Sequence, residues 1–300
     1  MDTIQFHYSH NSADPETTRL GGLISGTRIG VEVEIEDMPL APKIPGWRCI
    51  PDGSLRNNGV EYVFNGPIGG AGAVSRLNKL EAGLEGQGTF GPRTSVHVHM
   101  DARDMLWSNV CDLVTLYAMV EPYLFSLCGQ EREESIYALS LYRGEKQITD
   151  LVHIFREGPL ALNSRVWSKY SAINLLSLSE RGAIEFRGHS GTSNTTVLCN
   201  WINHILALKA FVHHPDKNLS DLPKMLSTDG PMAMLREVFG DLVNSNREHV
   251  LYSEQKLYHG VWVAEELLFH SRMRQVQSMI RENNSGQKQL LKLKDKLCAD

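Results

Sequence analysis

The sequence is short of several things, and each shortage excludes something. Its five cysteines, Cys49, Cys111, Cys128, Cys199 and Cys298, are widely spaced, odd in number and never arranged as CxxC. Unpaired thiols in a reducing compartment are the expected state. Excess positive charge is missing too: 30 Lys+Arg against 35 Asp+Glu leave a net charge of −5. That balance excludes the broad basic field that draws nucleic acid or an anionic membrane, although it leaves room for a small basic pocket. No unbroken apolar run reaches about 18 residues, and the opening MDTIQFHYSHNSADPETTR has neither the basic nor the apolar stretch of a signal peptide. A cytoplasmic protein is therefore expected. The G-x-x-x-x-G-K-[ST] and G-x-G-x-x-G patterns are absent as well, so neither a P-loop nor a Rossmann unit is expected to carry a nucleotide.

What the sequence does have is alternation. In IGVEVEIE, residues 29–36, Val31, Val33 and Ile35 point one way and Glu32, Glu34 and Glu36 the other. TSVHVHMD, residues 94–101, repeats the pattern, with Val96, Val98 and Met100 opposite Ser95, His97, His99 and Asp101. GVEYVFNGP, residues 59–67, predicts a strand carrying Glu61 and ended by Asn-Gly-Pro. RGAIEFRGHSG, residues 181–191, predicts another, with Ile184 and Phe186 opposite Glu185, Arg187 and His189.

Helical spacing marks residues 70–84, 104–128 and 195–213, and most of the chain after Pro231. Pro122 is expected to kink or divide the second of these helices and Asp104 to cap it. The closing KQLLKLKDK reads as a solvated amphipathic helix. Residues 1–27, rich in Ser, Asn, Asp and Thr, form an expected flexible lead-in; residues 28–215 form a core, and residues 216–300 a mainly helical part of the same domain. Strands early and helices late imply an α+β fold, with a mainly antiparallel sheet whose apolar face is covered by helices.

The polar face of that sheet is unusual. Its candidate residues are Glu32, Glu34, Glu36, Glu61, His97, His99, Asp101 and Glu185, with Arg187 the one formal cation. Each motif alone also suits a solvated strand face. Together, on neighbouring strands, the carboxylates would repel and raise one another's pKa unless a positive charge sat between them. A divalent ion supplies such a charge, and oxygen-rich ligation favours Mg²⁺ or Mn²⁺ over zinc. Arg187 suits either a salt bridge with Glu185 or a phosphate held by the metal. PDGSL (51–55) and GHSGTSN (188–194) read as polar turns close to these strands.

Five stretches, IGVEVEIE (29–36), PDGSLRNNGVEYVFNGPI (51–68), TSVHVHMD (94–101), KYSAINLLSL (169–178) and AIEFRGHSGTSN (183–194), together with Trp201, resemble the amidoligase family of carboxylate–amine ligases. The resemblance covers roughly residues 28–205. It implies a curved, glutamine-synthetase-like catalytic sheet that binds ATP with Mg²⁺ or Mn²⁺. By the same resemblance Glu32, Glu34, Glu61, His99 and Glu185 would be metal ligands. His97, His99, Arg187, Tyr170 and Asn174 would contact nucleotide or substrate, and Arg187, Glu185 and Glu61 would serve the chemistry. The implied reaction joins a small-molecule or peptide carboxylate to an amine through an acyl phosphate, releasing ADP and phosphate. The acidic face alone also suits a metal-dependent hydrolase or phosphotransferase, or a noncatalytic ATP- or metal-binding protein.

Overall fold

The computed structural model describes Ile4 and residues 27–271. The expected lead-in, the KQLLKLKDK tract and Cys298 thus lie outside the described residues, save for Ile4 and Thr27. Strands β1 (Ile29–Ile35), β2 (Trp47–Pro51), β3 (Val60–Phe64), β4 (Ser95–Asp101), β5 (Ile173–Asn174) and β6 (Ala183–Ser190) form one sheet in the order β2-β3-β1-β4-β6-β5. Every pairing is antiparallel.

This sheet is open and neither curved nor closed, with β2 and the two-residue β5 as its free edges. The expectation of a curved, glutamine-synthetase-like sheet is thereby corrected. The ATP-binding ligase description that depended on that sheet falls with it. Closure needs long strands whose stagger carries the ladder round, and a two-residue edge cannot supply it.

Alternation sorts the side chains as the sequence predicts. Val31, Val33, Ile35, Tyr62, Phe64, Val96, Val98, Met100, Ile184 and Phe186 all lie on the buried apolar side. Helices α1 (Ala71–Gly83), α2 (Trp107–Cys128) and α5 (Thr195–His213) pack behind them, while α3 (Glu145–Glu157) and α4 (Ser177–Arg181) lie in the connections. Tyr117 of α2 sets its ring 5.8 Å from that of Phe186. Burying a side chain of this size is worth about 1.5–3 kcal/mol. Helices α6 (Leu222–Asp229), α7 (Pro231–Phe239) and α8 (residues 247–271) add Leu226, Leu235, Phe239 and Leu257 to the same apolar cluster.

Helix α2 is long and apolar enough by composition to cross a membrane, but 89% of its most apolar stretch is buried inside the protein. It is a core helix. Pro122 neither divides nor ends it. Nor does Asp104 cap it: Leu106 holds the cap position, and Asp104 instead pairs with Lys209 at 2.7 Å.

One irregularity matters for the site. Val96 pairs with His189 but Val98 with Phe186, so β6 has an extra residue opposite His97. This β-bulge at Arg187–Gly188 shifts the phase of the strand. Beyond it His189 turns to the apolar side, buried against Trp201 with ring centroids 5.4 Å apart. Burial pulls its pKa down to about 4. The expected place of His189 beside Glu185 is thus corrected. Gly188 packs tightly, because a Cβ there would stand 3.4 Å from the Cys128 sulfur.

Candidate metal centre

The acidic face gathers side chains from five adjacent strands. Register places Glu34 opposite Glu61, Glu32 opposite His97, His99 opposite Glu185, and Glu185 opposite Asn174. Glu32, Glu34, His97, His99 and Glu185 are all less than a tenth exposed. Charged groups are rarely buried this deeply unless they are paired or bound to metal.

Glu32, His97 and Glu185 can each turn one ligand atom toward a common point, with all three atoms within 4.8 Å of one another. His97 Nδ1 lies 3.1 Å from Glu32 Oε2 and 3.5 Å from Glu185 Oε1. Neighbouring ligands of an octahedral ion with bonds of about 2.1 Å stand about 3.0 Å apart, so the donor set fits a divalent cation. His99 Nε2, 3.0 Å from Glu32 Oε1 and 4.0 Å from Glu185 Oε1, stands at the edge of the same cluster.

The hydrogen-bond network turns His97 Nε2 to Ser95 and leaves Nδ1 facing Glu32. Ser95 donates its backbone N–H (2.8 Å) and its hydroxyl (2.6 Å) to Glu34 Oε2. Its hydroxyl oxygen then accepts from His97 Nε2 at 2.7 Å. Nδ1 then stands 3.1 Å from Glu32 Oε2, a gap that either a proton on the ring or a cation would bridge. Such outer partners fix the ring and strengthen it as a ligand.

Charges in the cluster respond to one another. Although burial pushes it upward, hydrogen bonds and charge from His97 and His99 hold the Glu32 carboxyl far below the usual range. Burial likewise acts on Glu185, but His97, His99, Arg187 and the Asn174 amide, donating at 2.6 Å, keep its carboxyl low. Glu61 goes the other way: burial and the adjacent Glu32, Glu34 and Asp52 push it up to about 9. Burial contributes most to that rise, and the like charges add to it in the direction expected from the sequence.

Arg187 is not the lone cation. Its Nη1 lies 2.5 Å from Glu185 Oε1 and 3.4 Å from His97 Nδ1. Arg181, at the end of α4, places Nη1 3.1 Å from Glu32 Oε1 and 3.4 Å from His99 Nε2. A metal would compete with both guanidinium groups for the same carboxylates. Arg132 lies fully buried behind the bulge and donates to the carbonyls of Gly188 (3.2 Å) and Arg187 (3.0 Å). These carbonyls flank the bulge, and Arg132 supplies them with donors. Sequence reading gave neither a role: Arg181 opened the stretch expected as a strand but ends α4, and Arg132 belongs to no alternating segment. The only signal was their position, Arg181 immediately before the Glu185 strand and Arg132 in a charged loop.

Other expected residues are placed elsewhere. Tyr170 is 40% exposed, its ring 6.0 Å from that of Tyr137 and under the Lys169 ammonium. Glu36 accepts the backbone N–H of Arg56 at 2.9 Å and so fixes the loop before β3. Asp101 is forked by Arg103, with contacts of 2.9 and 2.5 Å. PDGSL is a turn in which Asp52 Oδ1 accepts from the Ser54 N–H at 2.8 Å. In GHSGTSN, Asn194 caps α5 by accepting from the Val197 N–H at 3.0 Å. Compared with known proteins, the chain matches no family model and no curated sequence.

Proposed function

We propose that this chain is a metal-dependent enzyme, a hydrolase or phosphotransferase whose Glu32–His97–Glu185 cluster holds Mg²⁺ or Mn²⁺. The reading is carried by one observation: three strands turn buried ligand atoms to one point, within 4.8 Å of each other. The imidazole favours Mn²⁺ somewhat over Mg²⁺, which prefers an all-oxygen shell. In this role the cation would polarise a phosphoryl or carbonyl oxygen and lower the pKa of bound water. Glu61, protonated in the metal-free protein, is the nearby group able to exchange a proton once a cation displaces its own. The motif resemblance to amidoligases supports treating these strands as one metal-handling unit, independently of the sheet's shape.

Titrating the chain with Mn²⁺ by calorimetry should show binding, and Glu185→Gln should weaken it by about 100-fold while the circular dichroism spectrum is kept. Hydrolysis of phosphomonoesters and nucleoside triphosphates, followed with and without Mn²⁺, should depend on the metal and not on an added amine. Wild-type affinity in Glu185→Gln would remove the site from the cluster. Turnover that required an amine acceptor would move the chemistry to the amide-forming class implied by the motifs.

A further inference from the structure

Beside the metal cluster the protein has a cavity of about 430 Å³ whose charged lining was not anticipated from the alternating strands. Glu32, Glu61 and His99 are part of its lining, so the cavity shares Glu32 with the metal cluster. Around the rest stand Arg28, Arg48, Arg103 and Arg181. Two of these are already engaged, Arg103 with Asp101 at 2.5 Å and Arg181 with Glu32 at 3.1 Å. Among the described residues, Arg28 and Arg48 have no carboxylate partner although both border the cavity.

Charge decides what such a space can hold. Four guanidinium groups face three carboxylates, Asp101, Glu32 and Glu61. A positive surplus thus remains inside a protein whose overall charge is −5. A concave, partly enclosed wall strengthens the attraction for an anion. Gly30 lines the cavity beside His99, where an added Cβ would stand 3.4 Å from the His99 Cβ. Ile50, Val63 and Pro67 provide an apolar wall.

We infer that this cavity is the substrate site, and that Arg28 and Arg48 bind the oxyanion group, phosphate or carboxylate, of a small molecule whose reacting end points at the metal. This deepens the proposed function by naming the substrate class, and its orientation toward the metal rests on that reading. A guanidinium fork matches the paired oxygens of either oxyanion. A volume of about 430 Å³ suits a metabolite-sized ligand rather than a folded partner.

The test measures binding of inorganic phosphate and of succinate to the full chain by calorimetry, with Mn²⁺ and with chelator. Arg28→Gln/Arg48→Gln is compared with wild type and with Arg28→Lys/Arg48→Lys. At least one anion should bind wild type, about tenfold or more weakly to the Gln pair, and at intermediate strength to the Lys pair. Which anion binds identifies the oxyanion. Mn²⁺ affinity and the unfolding midpoint of the Gln pair should match wild type, showing that neither the cluster nor the fold was disturbed. Equal anion affinity in the Gln pair, or no binding of either anion to wild type, would overturn the inference. Loss of Mn²⁺ binding in wild type, with arginine-dependent anion binding retained under chelator, would instead overturn the metal reading and leave the anion site standing.

Discussion

The two faces of the β1–β4–β6 ladder are built from alternate residues of the same strands, yet they are held by opposite logics. On one face Val31, Val98 and Phe186 are wholly buried against helices, and each contact lowers the free energy of folding. On the other, one residue along, Glu32, His97 and Glu185 are nearly as buried but surrounded by charge. Burying ionised groups opposes folding unless partners offset it. The apolar face therefore stabilises the ladder, and the acidic face exploits that stability to hold repelling groups close together.

The sharpest way to break this comparison is from the apolar side. Phe186→Ala should cost about 3–5 kcal/mol in urea unfolding, through the lost side chain and the cavity left beside Tyr117. A loss below about 1 kcal/mol would mean that the helices do not anchor the ladder as described.

A smaller effect is expected on the acidic side, with the opposite sign. In chelator, unfolded Glu61 ionises above about 4.5, whereas the folded side chain keeps its proton up to about 9. Between these values the folded state holds the extra proton. The contribution of this group to stability, complete below pH 4.5, is lost as pH rises toward 9. Glu61→Gln should flatten that decline, adding about 1–2 kcal/mol at pH 8 and almost nothing at pH 4 after allowance for solvent screening. Urea midpoints at the two pH values check it; an equal change at both would place the effect in packing rather than ionisation.

The smallest effect sharpens the boundary of the site. Tyr170→Ala should change Mn²⁺ affinity less than about twofold and stability by no more than about 0.5 kcal/mol, because the ring is partly exposed and set against that of Tyr137. A large loss of metal affinity on titration would bring Tyr170 back into the site.

Much of this contrast was legible in the sequence because strand periodicity is strict. A residue at i+2 shares a face with residue i, so IGVEVEIE and SVHVHM separate cleanly into Val31 and Val98 behind, Glu32 and His97 in front. Periodicity says nothing about insertions, however. The bulge at Arg187–Gly188 sends His189 to the apolar side although its spacing from Glu185 places it in front. Nor does alternation mark residues on connections, which is why Arg132, Arg28 and Arg103 went unnoticed while Arg187 was found. Edge strands were hard for another reason: Trp47–Pro51 reads Trp-Arg-Cys-Ile-Pro with no alternation, and Ile173–Asn174 is too short to show a period. Whether the sheet closes depends on those edges, so its open form was the least readable property of all.

Arg132 carries the bulge in a way that reaches beyond packing. Its guanidinium fastens the carbonyls of Arg187 and Gly188 from behind the sheet, 55 and 56 positions away along the chain. Because Arg187 carries one of these carbonyls and also touches Glu185 and His97, a loop remote from every proposed ligand sets the aim of the site. Heritable change around residues 130–134 could thus retune the chemistry of the front while leaving each ligand, and the strand pattern that displays it, untouched.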